Sequence, residues 1–346
     1  MKKRVLFVAY NAFNRGGIQN VVMNIVKKLS NEYTFDLLCF QEDNGELENE
    51  FLSYGGKVIK YRAYYSGKNN FRKRADYYLR GISLFSSTLK AIRENGPYQA
   101  IHCNNAKESG ICLLAARMKK IPVRIAHSHT NFPNTENIIR RMLDCFYDKL
   151  ININATYLVG CSEEAAENMF GKNNEKVLVI NNGVDMEKFN PKRFSVSTRT
   201  DGTLRLLQIA TFSNNKNQIF SLHILETVLK KGVNATITFV GRASDVEAEK
   251  YLDYIKTYVE ENKLSILVSF LPSDYDIPRV IAENDVVLVP SKREGFPLVP
   301  IEAQAMGKCC YASDTVPSTV NCGGCKFLPL GRGEEAWAEA IVNDFV

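Results

Sequence analysis

Two glutamates lie eight positions apart near the end of the chain, in a pattern suited to holding a phosphate group. Glu294 lies in a stretch rich in Gly and Pro, and Glu302 lies in a short helical pattern that starts near Pro300 and stops at Gly307. The apolar run Val286–Val289 predicts a buried strand leading into this stretch. A strand, loop and helix in this order direct free backbone N–H groups and a helix dipole at one point, which favours a phosphate.

The histidines form a second candidate group. Two of the four in the chain, His127 and His129, close an apolar run, and the two-residue period of a strand places them on one face. His102 follows another apolar run, where it is either part of a site or a core histidine with satisfied hydrogen bonds. A zinc site would need a third ligand that is not evident from the spacing.

A third candidate is the pair Gly16 and Gly17, between an apolar run and an amphipathic helical pattern. Two glycines there let a phosphate approach backbone N–H groups at a helix N-terminus, although such a pair is often only a turn. The G-x-G-x-x-G dinucleotide pattern is missing, which argues against a dehydrogenase.

These candidates must be positioned by elements of an α/β protein. Short apolar runs alternate with helical patterns, which predicts parallel sheets covered on both faces. The predicted strands form two sets: 5–9, 35–40, 58–61, 99–103, 123–127 and 157–161, then 204–210, 235–240, 267–271, 286–289 and 309–312. We predict two Rossmann-like domains facing a central cleft, residues 1–190 and 203–346, joined by a polar linker at 187–202.

The composition indicates a cytoplasmic globular protein. Of the 346 residues 45% are hydrophobic and 24% charged, and no run approaches the ~20 apolar residues of a spanning helix. The apolar run after the basic N-terminus is too short for a signal peptide. Nine scattered cysteines suggest free thiols in a reducing compartment, and the C-x-x-C at Cys322 and Cys325 lacks a second pair, so we interpret it as a loop.

Positive charge is concentrated in the first half. Residues 1–190 hold 27 Lys and Arg against 19 Asp and Glu, and the remainder holds 17 against 19. The basic and aromatic segment from Arg62 to Arg80, which includes Arg72, Lys73 and Arg74, is either a solvated face or a contact for a lipid diphosphate or the anionic inner leaflet. Nucleic acid is not expected, because no binding motif accompanies the segment.

The sequence around the two glutamates, residues 290–307, resembles the Glu-x7-Glu signature of retaining GT-B glycosyltransferases, above all glycosyltransferase family 4. The similarity extends over most of the chain. Gly16 and Gly17 match the family's Gly-Gly loop, and residues 209–217 match its Gly-Arg-…-Lys-Asn segment, with Lys216 at the lysine position. Residues 181–185 are similar to its Pro-Asn-Gly-Val-Asp stretch.

The resemblance implies a role for each candidate. Glu294 would bind hydroxyls of the donor sugar, Glu302 the nucleotide ribose, and Lys216 the leaving diphosphate. His127, with His129 as the alternative, would bind the transferred sugar, and His102 would line the acceptor side. Backbone N–H groups for the donor would come from Gly16, Gly17, Gly295, Phe296, Leu298 and Val299.

Three positions depart from the family pattern, one of them Asn181, which replaces the proline of the Pro-Asn-Gly-Val-Asp stretch. Thr211 stands where the family usually has Arg, which removes a cation from the leaving group, and Pro297 replaces a common glycine. Either Lys292 or Arg293 compensates for the missing arginine, or the activity is low.

The resemblance implies a metal-independent, retaining glycosyltransferase without a cofactor, of the type that builds bacterial capsules and exopolysaccharides. We expect a UDP-linked donor, a glycan or lipid-diphosphate-linked acceptor, and a cytoplasmic location with peripheral contact to the inner membrane. The alternatives are a GT-B epimerase, a catalytically weak nucleotide-sugar-binding protein, and a glycosidase. Family members often carry a final helix beyond the position where this chain ends after Trp337, which leaves open a truncated second domain.

Overall fold

The computed structural model describes residues 2–9, 12–62, 70–104, 106–129, 138–172, 174–194 and 202–345, with the backbone alone at residues 70–79 and 140. The chain divides into two compact units, Met1–Asn182 and Gly183–Val346. Part of the predicted linker, residues 195–201, lies outside the described residues.

Unit 1 is built on a seven-stranded parallel sheet in the order β3-β2-β1-β4-β5-β6-β7. Its strands are β1 Lys3–Ala9, β2 Tyr33–Cys39, β3 Val58–Lys60, β4 Ala100–Cys103, β5 Val123–Ser128, β6 Tyr157–Gly160 and β7 Val177–Val179. The helices between them are α1 Gly17–Leu29, α2 Glu48–Leu52, α3 Asn70–Asn95, α4 Ser109–Met118, α5 Ile138–Asn154 and α6 Glu163–Phe170.

The first strand shows why these apolar runs become central strands. Leu6 and Val8 point into one hydrophobic cluster and Val5 and Phe7 into another, because successive side chains of a strand face opposite sides of the sheet. Both faces are therefore covered, and the strand reads as a continuous apolar run rather than an alternating one.

Unit 2 repeats the plan with a six-stranded parallel sheet in the order β10-β9-β8-β11-β12-β13. Its strands are β8 Leu204–Ile209, β9 Ala235–Val240, β10 Val268–Leu271, β11 Val286–Val289, β12 Cys309–Ser313 and β13 Cys325–Leu328. Its helices are α7 Gln218–Lys230, α8 Val246–Glu261, α9 Ile277–Glu283, α10 Val299–Ala305 and α11 Gly333–Phe345.

The predicted α/β class and the two doubly wound domains are confirmed, but two strands were missed. β7 has three residues and β13 has four, and each lies at the edge of its sheet. β7 is an apolar run of only three residues, shorter than the run that identifies a strand, and Lys326 interrupts the apolar residues of β13. The loop interpretation was wrong at its last residue, because Cys325 begins β13 and pairs in register with Cys310.

Each sheet reverses its strand order beside its first strand, between β1 and β4 in unit 1 and between β8 and β11 in unit 2. In open parallel sheets, ligands bind in the crevice outside the carboxyl ends of the strands at such a reversal. The segments that follow β1, β4, β8 and β11 are therefore where a site is expected. Gly16, Gly17, Lys216, Glu294 and Glu302 lie in these segments and His102 lies in β4, whereas His127 and His129 lie at the end of the neighbouring β5.

Candidate functional site

In unit 1 the three strand-end histidines form one cluster. His102 is the last residue but one of β4, and His127 is the last residue but one of the neighbouring β5. Their rings meet, with His102 Nε2 at 3.1 Å from His127 Nδ1. The ring centroids of His127 and His129 are 3.9 Å apart. The two-residue spacing thus brings His127 and His129 together as predicted, and the parallel pairing of β4 with β5 adds His102.

Burial keeps these imidazoles uncharged. It lowers the pKa of His102 from 6.5 to about 3, with a further contribution from His127, and the pKa of His127 to about 4. The pKa of His129 is also well below its usual value, because of burial and then of the two neighbouring rings. At neutral pH the cluster offers hydrogen bonds without charge, which suits hydroxyl groups better than phosphate.

Asn104, which follows β4, completes the cluster. Its Oδ1 lies 2.7 Å from His129 Nε2, so this nitrogen carries the proton and His129 Nδ1 is left as an acceptor. Three buried polar atoms of this cluster have no hydrogen-bond partner among the described residues: Asn104 Nδ2, His127 Nε2 and His129 Nδ1. Buried polar groups are normally satisfied, so this cluster has the capacity to bind a ligand rich in hydroxyls.

The Gly16–Gly17 pair lies where β1 gives way to α1. Gly16 is the N-cap in an extended conformation, no side chain caps the helix, and its first turn contains no acidic residue. A Cβ on Gly17 would meet nothing within 4 Å, so the free N–H groups of this turn are open to a ligand. The structure thus leaves the space that the sequence argument required, although neither glycine has a positive φ.

In unit 2 the two predicted catalytic groups are paired. Lys216 Nζ lies 2.5 Å from Glu294 Oε1, which joins the segment after β8 to the segment after β11. The lysine side chain is 25% exposed and the glutamate 10%. Sequence reasoning named both residues but did not predict this ion pair.

Buried amides hold the lysine loop in place. Gln208, in β8, donates from Nε2 to the carbonyl oxygen of Lys216 at 2.6 Å, and Gln218 donates from Nε2 to the carbonyl oxygen of Thr211 at 3.0 Å. Asn215 donates from Nδ2 to the carbonyl oxygen of Arg293 at 3.0 Å. Sequence reasoning missed these amides, although all three lie in or next to the motif that contains Lys216.

The two cations proposed to compensate for Thr211 are exposed. Both residues contact the lysine loop through their backbone. The N–H of Lys292 donates to the carbonyl oxygen of Asn215 at 2.8 Å. The carbonyl oxygen of Arg293 accepts a hydrogen bond from the side chain of Asn215. Their contact with the loop is therefore made by the backbone, which positions Lys216.

Glu294 begins the segment assigned to the donor. Gly295 and Phe296 after it are buried, Leu298 is the N-cap of α10, and the helix begins at Val299, one position before the predicted Pro300. Gly307 follows the helix with φ +69°, a conformation that favours glycine. The predicted order of strand, loop and helix is confirmed.

Glu302 lies inside α10 and is 8% exposed. Burial raises the pKa of its carboxyl from 4.5 to about 7, and the charge of Lys188 opposes that rise. No hydrogen bond reaches this carboxylate among the described residues, in contrast to Glu294. A buried carboxylate without a fixed partner retains its acceptor capacity for a ligand hydroxyl.

The basic segment is only partly described. Residues 63–69 lie outside the described residues, and Arg72, Lys73 and Arg74 lie in α3 with the backbone alone described. Arg80, at the end of the segment, forms an ion pair with Glu108 at 3.5 Å and so has a structural role. In the part of the chain that the structure describes, no three His, Cys, Asp or Glu residues are placed to hold a metal ion.

Comparison with known families accounts for almost the whole chain. The model described as "Glycosyltransferase Family 4" matches residues 15–188, and the model described as "Glycosyl transferases group 1" matches residues 190–341. The first match covers half of the chain and spans the glycine pair and all three clustered histidines. The second spans Lys216, Glu294 and Glu302.

Individual relatives give the same result. The putative glycosyltransferase EpsF of Bacillus subtilis is 31% identical over 99% of this chain and 88% of its own length. The N,N'-diacetylbacillosaminyl-diphospho-undecaprenol alpha-1,3-N-acetylgalactosaminyltransferase of Campylobacter jejuni is 25% identical over 92% of this chain and 81% of its own length. The crystal structure of Anabaena HepE with UDP-glucose superposes with a TM-score of 0.75 at 19% identity, over 98% of this chain and 89% of that one, and so shares the fold.

Proposed function

The chain belongs to glycosyltransferase family 4, and from this premise we propose that it transfers a sugar from a nucleotide diphosphate donor to a lipid-linked glycan, with retention of configuration, during polysaccharide synthesis. The ion pair between Lys216 and Glu294 carries this proposal. It places a cation and a carboxylate together at the strand-order reversal of unit 2, where a donor diphosphate and its sugar need opposite kinds of contact.

Each part of the nucleotide-sugar donor has a protein side chain of matching chemistry. Lys216 supplies positive charge to the diphosphate, Glu294 accepts hydrogen bonds from sugar hydroxyls, and Glu302 accepts from the ribose. In the ligand-free protein Lys216 neutralises Glu294, which offsets the cost of keeping that carboxylate buried. Donor binding then replaces this one contact by two, lysine to phosphate and glutamate to hydroxyl.

The transfer step needs little covalent chemistry from the protein. The bond between the sugar's anomeric carbon and the diphosphate oxygen breaks, and the acceptor oxygen bonds to the same carbon from the same face. The acceptor's hydroxyl proton passes to the leaving phosphate. Lys216 stabilises the charge that develops there, so a metal ion is not required in this scheme. The uncharged His127 donates or accepts a hydrogen bond at a hydroxyl of the transferred sugar.

The nature of the two substrates is proposed from relatives. HepE has been crystallised with UDP-glucose, which supports a UDP-linked donor. The Campylobacter jejuni relative is named for a diphospho-undecaprenol acceptor, which supports a lipid-diphosphate-linked acceptor here. Such an acceptor would place the enzyme in the cytoplasm at the inner face of the membrane. In the described residues, no helix is both long and apolar enough to cross a bilayer.

A thermal-shift screen with UDP-, GDP-, ADP- and CMP-linked sugars tests the donor. A ligand that binds the native state raises the melting temperature by mass action, about 2.7 kcal/mol of stabilisation at 100 times its Kd. We expect UDP-linked sugars to give the largest shift. If no nucleotide sugar shifts the transition, the proposal is wrong. Incubation with the cognate donor alone then separates the alternatives, because an isomerised sugar would indicate an epimerase.

A further inference from the structure

Helix α5, residues Ile138–Asn154, has apolar side chains on two opposite faces. One face packs into the core of unit 1, where Tyr147 and Ile151 are buried. The other face is exposed to solvent, and its large apolar residues are Ile138 at 71% exposure, Met142 at 68%, Phe146 at 53% and Ile153 at 63%. A helix that has already buried one apolar stripe needs no second one for folding.

Three of the exposed apolar residues, Ile138, Met142 and Phe146, form a continuous stripe, and the exposed Lys149 separates them from Ile153. Ile138, Met142 and Phe146 are spaced four apart, and Ile153 follows seven positions later, so all four project from the same side of the helix. Single exposed apolar residues are ordinary on a protein surface, whereas a contiguous patch marks a contact with a partner or a membrane. We call this stripe, with Cys145 and Lys149, the α5 apolar face.

The charges along this face are basic. Arg141 and Lys149 are exposed beside the apolar residues. The nearest acid on the flank, Asp148, is held by Lys107 at 2.9 Å. Among the side chains that the structure describes on this face, none is acidic. Apolar side chains bordered by long basic ones match a bilayer with anionic headgroups, because the cations remain at the phosphates while the apolar groups enter the acyl boundary.

We propose that the α5 apolar face docks unit 1 on an anionic phospholipid bilayer. Ile138, Met142 and Phe146 insert at the boundary between headgroups and acyl chains, and Arg141 and Lys149 contact lipid phosphates. The biological meaning of this docking rests on the proposed function, since it brings the enzyme to the surface where a lipid-linked acceptor is available. The docking itself is independent of donor chemistry and can be tested without a sugar.

The test is flotation of the full chain with vesicles of equal phosphatidylglycerol and phosphatidylcholine, and with phosphatidylcholine alone. The wild type should float with the anionic vesicles and not with the neutral ones. The double variant Met142→Ser/Phe146→Ser should bind the anionic vesicles at least about tenfold more weakly, because most of the inserted apolar area is lost. The matched control, Met118→Ser/Ile266→Ser, changes two residues that are 61% and 92% exposed elsewhere and should bind like the wild type.

The cysteines provide a readout of insertion. Among the nine, Cys145 and Cys322 are the two exposed thiols, and only Cys145 lies on the α5 apolar face. In a Cys322→Ser background, an environment-sensitive fluorophore on Cys145 should shift its emission to the blue on anionic vesicles. In a Cys145→Ser background, the same label on Cys322 should not shift.

Several results would overturn the proposal: equal vesicle binding by the Met142→Ser/Phe146→Ser variant and the wild type, an unshifted Cys145 label, or a double variant that loses only self-association in sedimentation. The last result would identify the face as a contact between copies of the chain. Thermal shifts by UDP-linked sugars, measured on the same variants, keep the two proposals separate. Donor binding without vesicle binding would reject the docking and leave the glycosyl transfer standing.

Discussion

Lys216 and Glu294 depend on each other before any substrate is bound. Lys216 approaches Glu294 in a partly buried environment, and the buried amide of Gln208 holds the lysine backbone. The lysine is thus held beside Glu294 in advance, so in the proposed mechanism little reorganisation is needed when charge develops on the leaving diphosphate. This arrangement predicts that the lysine matters more for turnover than for folding.

We expect Lys216→Ala to lower the turnover rate by about 10²-fold or more, since removal of one preorganised charge-stabilising group commonly has that effect. Lys216→Gln should lower it similarly while retaining a hydrogen-bond donor for Glu294, which separates catalysis from folding. Steady-state kinetics and melting curves of the variants measure this. The control Lys230→Ala removes an exposed lysine in the last turn of α7 and should leave the turnover rate and the melting temperature unchanged. Near-normal turnover in Lys216→Gln would remove the lysine from the mechanism.

Glu302 is maintained at a cost to stability. The pKa of its carboxyl is about 7 in the folded protein and 4.5 ordinarily, so folding favours the protonated form. The contribution of this group to protein stability is therefore fully present below pH 4.5 and is lost as the pH rises through 7. Above pH 7 the buried carboxylate costs roughly 3 kcal/mol relative to one without a pKa shift. Such a cost is typical of a functional group whose partner is a ligand.

Glu302→Gln should therefore stabilise the protein above pH 7, by up to roughly 3 kcal/mol, and have little effect below pH 4.5. The same change should weaken UDP binding by about 1–3 kcal/mol, because a charge-assisted hydrogen bond to the ribose is lost. Denaturant unfolding at several pH values and calorimetry with UDP measure both effects. In the control Glu339→Gln, at an exposed position of α11, neither should change. Unaltered UDP affinity in a folded Glu302→Gln variant would contradict the assignment.

At the scale of elements, the carboxyl ends of β8 and β9 lie unusually close together. A Cβ on Gly241 would lie 1.9 Å from the carbonyl oxygen of Ala210, and the N–H of Phe212 donates to the carbonyl oxygen of Arg242 at 3.0 Å. Only glycine permits this approach, and the segment it positions leads directly to Lys216. The packing of two strand ends thus determines where Lys216 lies.

Gly241→Ala should destabilise the fold by about 1–3 kcal/mol, as overpacking does, and should lower turnover because the lysine loop is displaced. Urea unfolding and kinetics measure the two effects. Gly331→Ala is the matched control, since a Cβ there meets nothing within 4 Å and the backbone is not in the left-handed region. Equal stability of the two variants would show that the strand ends tolerate a methyl group.

Elements with strong local patterns could be predicted, and those determined by their neighbours could not. The central strands β1, β8 and β11 are apolar runs covered on both faces, so composition alone identifies them. The edge strands β7 and β13 escaped prediction because β7 has only three residues and Lys326 interrupts β13, so it is their pairing with β6 and β12 that identifies them.

In the molecule as a whole, the net positive charge comes from the first half of the chain, where residues 1–190 carry eight more basic than acidic residues. If the basic segment contributes to attraction by anionic lipid, replacing Arg72, Lys73 and Arg74 with Ser should weaken vesicle binding and reduce its dependence on salt. UDP affinity should be unaffected. Raising salt should release the wild type, because exposed charges are screened beyond ~8 Å at physiological ionic strength.

Vesicle sedimentation between low and physiological salt measures this effect. The control replaces Lys28, Lys119 and Lys172 with Ser, which removes the same charge at exposed positions elsewhere in unit 1. If both triple variants behave alike, the attraction is a property of net charge, and the segment from Arg62 to Arg80 is a plain solvated face.

The α/β class, the two Rossmann-like domains and the family could be predicted from the amino-acid sequence, because these depend on hydrophobic period and on motifs such as the two glutamates and the glycine pair. Which side chains meet depends on the packing of the folded chain. The contact of His102 with His127 requires strands β4 and β5 to pair, and the ion pair of Lys216 with Glu294 joins residues 78 positions apart. The raised pKa of Glu302 follows from burial that no local pattern encodes. Spacing along a chain specifies elements, whereas contacts and desolvation arise only when distant elements pack.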